Sequence, residues 1–437
     1  MTGPEARVSR SRSCSGLHGR IVGSLINLWL WAFVFLVLVG MLPAPVTAEP
    51  RDLRWFAERV PPESRDRSFH FVDFRAARAI EAIHGPLEPR QRALTISQHL
   101  IFSPWHYNAL SRFLFPQPEP DQAFQGAVGV RFSAIDAAAG WSISGGGEEA
   151  AFLMSGEVLQ GGNAAVGGAL KRRGFTAGVY AQQSFWRRTV SERGYVSHED
   201  YFDGPFVVNP DLDMFFSAAP GELRISHTQS GLQDLIDARQ APLRPKRETL
   251  ISLATGGQIA GELVQFINSF TAPLSLKYFK SLRQSLSRTF GEDEALRRLN
   301  EGPRIPEWPR LGLLDHQNGR KRVASLALLY PSREIAGRAL HAIEKRLRTL
   351  PPLFVPGEKL RDLLPLRRTG RVVAAEDGGA FAVMSFHHVL DPDDPFFRRL
   401  ADQRTNRNFI DLWAVCEFTH LLATKRYTRE SLRAESE

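Results

Sequence analysis

Between Ile21 and Leu42 the chain runs for 22 residues without a charged side chain, and no second run of about 18 apolar residues occurs in its 437 residues. Ser24 and Asn27 are the clearly polar members of the run. A helix needs about 20 apolar residues to cross hydrocarbon, so one segment can address a membrane and the rest must fold around an ordinary core. Arg7, Arg10, Arg12 and Arg20 precede the run against the single acid Glu5, and Pro43-Ala-Pro-Val-Thr-Ala48 follows it. A basic region, an apolar region and a small-residue exit together make an export signal. The apolar part of a signal peptide usually spans about 7–15 residues, fewer than here, so two outcomes stand. Either residues 1–48 are a signal peptide cleaved after Ala48, or residues 21–42 stay as an inner-membrane anchor with the basic flank in the cytoplasm. Both place residues 49–437 outside the cytoplasm, in the periplasm or beyond. Cys14 lies before the apolar run, where no lipid attachment occurs, and the leading arginines are never adjacent, as a twin-arginine signal would need.

Apolar residues make up 43% and charged residues 23% of the chain, which argues against disorder and against a multi-span membrane protein. Beyond residue 48 there are 51 basic and 46 acidic residues, an excess small enough for a mixed solvated surface or for contact with anionic lipid or cell-wall polymer. Export excludes nucleic acid as the expected partner. Arg outnumbers Lys 47 to 8, which reads as codon usage rather than as ligand demand. Cys416 is the one cysteine past the signal. It falls in step with Phe409, Leu412 and Trp413 on one helical face, as a buried core thiol.

The order of predicted elements repeats. Residues 49–68 read as a charged linker, and Phe69–Phe115 as helical until Pro116-Gln-Pro-Glu-Pro120 forces an extended stretch. Then come a strand at Ala150–Val158, a helix ended by Gly174, a strand at Thr176–Trp186, a hairpin around Ala219-Pro-Gly221 and a helix bearing Leu232, Leu235 and Ile236. After residue 320 the same order returns. Val323–Tyr330 is an apolar strand, Ser332 caps a helix with Ile335, Ala339, Ile343 and Leu347 on one stripe, and Asp377-Gly-Gly379 turns a hairpin. Phe396, Phe397 and Leu400 begin a terminal helical region reaching Tyr427. The expected fold is therefore α+β: two similar antiparallel-sheet-plus-helix modules in ferredoxin-like order, with a helical N-terminal segment and a helical middle. The expected boundaries are 1–48 signal or anchor, 49–120 linker and helical segment, 121–245 first module, 246–310 helical connector and 311–437 second module. Leu263, Phe266, Ile267 and Phe270 supply the connector's apolar face.

Few motifs suggest chemistry. Thr255-Gly-Gly-Gln-Ile-Ala-Gly261 follows apolar Leu250–Ala254, on its face a strand and a Gly-rich turn before a helix. It lacks both the G-x-G-x-x-G spacing and the Lys-Ser/Thr of a P-loop, so an ordinary turn is expected. His387, His388, Asp391, Asp393 and Asp394 form the best metal-like cluster. Adjacent strand residues point to opposite faces, however, so the two histidines would not converge. His198, Glu199, Asp200 and Asp203 read as a solvated loop, and His99 and His106, flanked by Phe102, Trp105 and Tyr107, as structural histidines. No nucleophile elbow, S-x-x-K or H-E-x-x-H pattern occurs. No catalytic, cofactor-binding or metal residue is therefore nominated, and no cofactor.

Val128-Gly-Val-Arg-Phe-Ser-Ala-Ile-Asp136, Ser155-Gly-Glu-Val, Ala169-Leu-Lys-Arg-Arg-Gly-Phe175 and Gly231-Leu-Gln-Asp-Leu-Ile-Asp-Ala238 together resemble a loose group of exported or membrane-anchored bacterial proteins of unknown function. These share a V-G-F-x-x-x-D start, a helix ending A-L-x-x-x-G-Y/F and a later L-V-x-x-L-x-D-A. The likeness covers about a quarter of the chain. It implies an envelope location and paired α+β modules, and no catalytic residue. The expected function is a non-enzymatic envelope module that binds a protein, lipid or small ligand. The alternative is an envelope hydrolase or metal-dependent enzyme using the cluster at 387–394 or the loop at 195–203.

Overall fold

The computed structural model describes residues 51–61, 68–76, 125–126, 128–131, 134–143, 150–189, 213–240, 249–269, 286–350, 367–375, 378–389 and 421–434. All of them belong to one unit, Arg51–Glu437. Its strands are β1 (Ser68–Asp73), β2 (Ala137–Ser142), β3 (Ala150–Ser155), β4 (Thr176–Tyr180), β5 (Gln183–Arg188), β6 (Met214–Ala219), β7 (Glu222–Ser226), β8 (Glu262–Ser269), β9 (Arg310–Asn318), β10 (Lys321–Tyr330), β11 (Arg367–Ala374) and β12 (Ala380–Val389). Helices α1 (Leu53–Ala57), α2 (Asn163–Arg172), α3 (Gln229–Gln240), α4 (Thr249–Thr255), α5 (Glu292–Asn300), α6 (Arg333–Thr349) and α7 (Arg429–Ala434) accompany them.

The strands form one twelve-stranded sheet in the order β11-β12-β10-β9-β8-β1-β2-β3-β7-β6-β5-β4, and every pairing is antiparallel. The class is α+β, as expected, but the sheet is continuous where two separate modules were expected. β1 pairs with β8, setting Phe71 opposite Phe266, and this single contact fuses the two halves. One apolar cluster runs across the join. It takes Phe69, Phe71, Trp141 and Leu153 from one half and Phe266, Leu314, Leu329, Phe381 and Val383 from the other, under Leu53 and Phe56 of α1, Leu235 of α3 and Leu250 and Leu253 of α4. On the opposite face the halves keep their own cores. α2 seats Val166 and Leu170 on Val72, Phe152, Met154 and Phe216, while α6 seats Ala339, Ile343 and Leu347 on Leu313, Leu326, Leu328 and Met384.

The local code works where its signals are strong. Ser332 accepts a hydrogen bond from the Ile335 N–H at 3.3 Å and starts α6, whose last turn carries Arg346 and Arg348 at the negative end of the helix dipole. α2 ends as its sequence suggests: Gly174 takes φ +76°, and the Phe175 N–H closes back on the Leu170 carbonyl at 3.1 Å. β6, β7, α3, β10, β11 and β12 lie where they were expected.

Other expectations are corrected. Phe69 and Phe71 face one way and His70 and Val72 the other in β1, so Ser68–Asp73 is strand and not helix, while residues 77–115 of the expected helical segment lie outside the described residues. Leu263 and Phe266 belong to β8, a strand covered on both faces, whose apolar run carries no clean period. Leu250–Ala254 is the helix α4, because a short apolar run does not by itself distinguish helix from strand. The Gly-rich stretch therefore leads from a helix into a strand, and no helix N-terminus follows it to hold a phosphate. Thr176–Trp186 is a hairpin, β4–β5, turned by Ala181 and Gln182, both with φ positive. β2 was not foreseen because Ala-Ala-Ala-Gly-Trp-Ser has weak strand propensity. Of the terminal helical region, residues 391–420 lie outside the described residues, and residues 421–427 are not helical.

Candidate functional site

Of the histidine and metal-like clusters weighed from the sequence, only His387 and His388 lie among the described residues. His99, His106, His198, Glu199, Asp200, Asp203, Asp391, Asp393, Asp394 and Cys416 lie outside the described residues, as does the run Ile21–Leu42. His387 stands opposite Val323 and Arg367 on β12, and its Nε2 pairs with Thr369 Oγ1 at 2.7 Å. His388 occupies the next register position, opposite Arg322. No group of His, Cys, Asp and Glu able to hold a metal ion occurs among the described residues.

What the fold does assemble is an arginine cluster that the sequence left in a linker and a hairpin. β7 begins at a two-residue Pro220-Gly221 turn, where Gly221 takes φ +74°. Glu222 and Arg224 therefore point to the same face of the sheet, and both are buried. Arg224 Nη2 reaches Glu222 Oε2 at 2.6 Å, and its Nη1 donates to Gln183 Oε1 at 2.9 Å. The other carboxylate oxygen, Glu222 Oε1, is shared by Arg51 at 3.4 Å and Arg239 of α3 at 3.7 Å. Arg51 also donates to the Gly221 carbonyl at 2.7 Å. Asp52 caps α1 by accepting from the Trp55 N–H at 2.9 Å, which sets the indole between the two ends of this short segment. The guanidinium carbons of Arg51 and Arg59 lie 4.4 Å and 3.8 Å from the Trp55 ring centroid. Arg59 Nη1 donates to the Trp55 carbonyl at 2.8 Å, and its buried Nε has no hydrogen-bond partner.

The electrostatics are lopsided. Arg51, Arg59, Arg224 and Arg239 surround the single buried carboxylate Glu222, with Glu58 the one other acid acting on Arg59. Burial pulls the Arg51, Arg59 and Arg224 guanidiniums below the usual arginine range, Glu222 opposes the shift, and neighbouring arginine charges add to it. Guanidinium stays protonated at neutral pH, so these groups carry no proton chemistry. Clustered guanidiniums are suited to binding and orienting anions. The one sequence signal for the site was the spacing of Arg51, Trp55 and Arg59 at intervals of four, behind the helix-capping Asp52. Arg224 and Arg239 carried none, because only the sheet brings them there.

A second polar cluster sits on the opposite face where the halves meet. His70, Gln265, Asp315, Gln317 and Arg322 are all buried. His70 Nε2 lies 2.8 Å from Gln265 Nε2, and Arg322 grips Asp315 with Nε at 2.8 Å and with Nη2. A bulge between Leu263 and Gln265 precedes them on β8. Here one cation meets one carboxylate. A one-residue slip of β9 against β10 would turn Asp315 into the apolar core of the other face, so the pair fixes register.

No family model and no curated protein matches the chain. Among solved structures it is similar to TP0453. Crystal form I matches at 7% identity and TM-score 0.32, over 80% of this chain and 96% of that one. Form III matches at 9% and 0.32, over 76% and 93%, and form IV at 9% and 0.30, over 62% and 78%. Likeness at this level carries no argument about fold or function.

Proposed function

We propose that this is an exported envelope protein that works by binding rather than by catalysis, and that it holds an anionic group at Arg51, Arg59 and Arg239. One observation carries the reading. Arg51, Arg224 and Arg239 pair with the single buried carboxylate Glu222, and Arg59 lies within its field, an excess of positive charge that a folded protein offsets best with a bound anion. The export signal at residues 1–48 supports an envelope location, either released after Ala48 or anchored through 21–42. The repeated order of three strands, a helix and a hairpin, β1-β2-β3-α2 with β6-β7 and β8-β9-β10-α6 with β11-β12, supports two similar modules fused through one sheet. The hairpin β4–β5 is then an insertion in the first module.

Thermal unfolding of the full chain in neutral detergent, with multivalent anions at matched ionic strength, tests the binding reading. A saturable rise in Tm is expected, by mass action on the folded state, and it should be lost in Arg59→Ala and Arg239→Ala. A Tm that follows ionic strength alone, whatever the anion, would sink the reading. Cell fractionation with a mapped mature N-terminus tests the location.

A further inference from the structure

We infer that the group held at this site is a phosphate, carried as a monoester or as free phosphate, and not a carboxylate. The inference rests on the anion-binding reading above and adds the ligand's chemical class. Three features of the site lead to it.

The first is charge. Against Arg51, Arg59, Arg224 and Arg239 stand Glu222 and, through its field on Arg59, Glu58. The balance is two positive charges, which a phosphomonoester near neutral pH matches at about −1.5 to −2. A single carboxylate would leave half of it.

The second is the number and direction of free donors. Arg224 is closed inside the fold by Glu222 and Gln183. Arg51 and Arg239 approach Glu222 Oε1 at 3.4 Å and 3.7 Å, beyond the 2.7–2.9 Å of a charge-assisted hydrogen bond, so their forks retain donors. Arg59 commits Nη1 to the Trp55 carbonyl and, with its Nε buried, offers a ligand the outer edge of its fork. These three guanidiniums come from different places in the fold: the residue before the α1 cap, the segment after α1, and the last turn of α3. A carboxylate presents two oxygens in one plane, so donors above and below that plane are left without an acceptor. A tetrahedral phosphate presents three terminal oxygens to donors arriving from three directions.

The third is preorganisation. Trp55 holds the Arg51 and Arg59 guanidiniums over its ring, which limits their rotamers before any ligand arrives and lowers the ordering cost of binding. Arg51 is pinned further by the Gly221 carbonyl. Side-chain exposures of 18% for Arg51 and 34% for Arg239 leave both reachable from solvent while Glu222 behind them stays covered.

The test is titration calorimetry of the full chain in neutral detergent at pH 7.5 and constant ionic strength. The probes are inorganic phosphate, glycerol 3-phosphate, succinate and acetate, with a separate arm of detergent micelles carrying phosphatidic acid or phosphatidylcholine alone. Phosphate and glycerol 3-phosphate should bind saturably, at least tenfold tighter than succinate. Arg59→Ala and Arg239→Gln should each weaken them about tenfold or more, and Arg338→Ala, an exposed arginine on α6, should not. Should Arg59→Ala fail to fold, the half-exposed Arg239 carries the test alone. Response to phosphatidic acid with the same arginine dependence puts the phosphate on a lipid headgroup. Response to the soluble probes only puts it on a soluble ligand. Either supports the inference. Succinate binding as tightly as phosphate overturns it and leaves the anion reading standing. No saturable binding by any probe, or equal weakening in Arg338→Ala, overturns both.

Discussion

Each half of the sheet buries an arginine against a carboxylate, and the two pairs differ in what surrounds them. Asp315 and Arg322 meet across neighbouring strands β9 and β10, one charge for one charge, at the join of the halves. Glu222 and Arg224 share a strand, and three further arginines crowd toward the same carboxylate or its neighbourhood. Burial is nearly equal, so burial does not separate a structural pair from a binding site. Charge balance does. The matched pair balances its own charge and fixes strand register. The unmatched one keeps donors that nothing in the described fold absorbs.

That contrast can be broken most forcefully at the matched pair. Arg322→Ala leaves Asp315 buried without its partner and is expected to cost about 3–5 kcal/mol, read by urea unfolding. The double variant Asp315→Leu, Arg322→Met should recover most of that loss. A double variant as unstable as the single would mean that the pair does more than set register.

The next effect is acid sensitivity. Burial pushes His227, at the end of β7 beside Phe152, down to about 4, and burial also lowers His316 on β9. A histidine with a depressed folded pKa stabilises the neutral form. Its contribution is whole above the unfolded value near 6.5 and is lost as pH falls toward about 4, roughly 3 kcal/mol for His227. Stability measured from pH 7 to pH 4 should fall accordingly, and His227→Phe should flatten part of the slope. An unchanged slope would remove His227 from the account.

Glu222→Gln tests the unmatched pair. It keeps an acceptor for Arg224 but removes the only buried negative charge in the cluster. Stability should drop by roughly 2 kcal/mol at low salt, and added multivalent anions should restore more of it than they add to the native chain. Equal restoration in both would argue that the extra arginines are an ordinary solvated surface.

The smallest expected effect lies in the hairpin that only the first half possesses. Ala181 and Gln182 hold φ of 47° and 63°, a left-handed conformation that costs a residue with a side chain about 1 kcal/mol. Gln182→Gly should therefore stabilise by up to about 1 kcal/mol, visible as a small rise in Tm. A loss instead would show that the Gln182 side chain earns its strained position.

Much of the architecture was legible. The cap at Ser332, the stop at Gly174, the Pro220-Gly221 turn and the apolar run of β10 are local signals, and the structure carries each in place. The strands at the join were not legible. β8 is covered on both faces and so shows no period, β2 is built from alanines, and β1 was absorbed into the helical pattern read over Phe69–Phe115. The arginine cluster went unread: Arg51, Trp55 and Arg59 stood in the segment read as a charged linker, with their spacing of four the one local signal. Arg224 and Arg239 lie more than 160 residues further along the chain, and no local pattern marks them.

The sequence by itself determined the α+β class and most element ends, because these depend on hydrophobic period and on backbone conformations that a few residue types favour. Tertiary structure alone decided that the two halves share one sheet, that the Gly-rich stretch leads into a strand, and that three arginines pair with one carboxylate while a fourth stands in its field. Strand pairing and charge convergence are made between residues far apart in the chain, and their energy is absent from any local window of it.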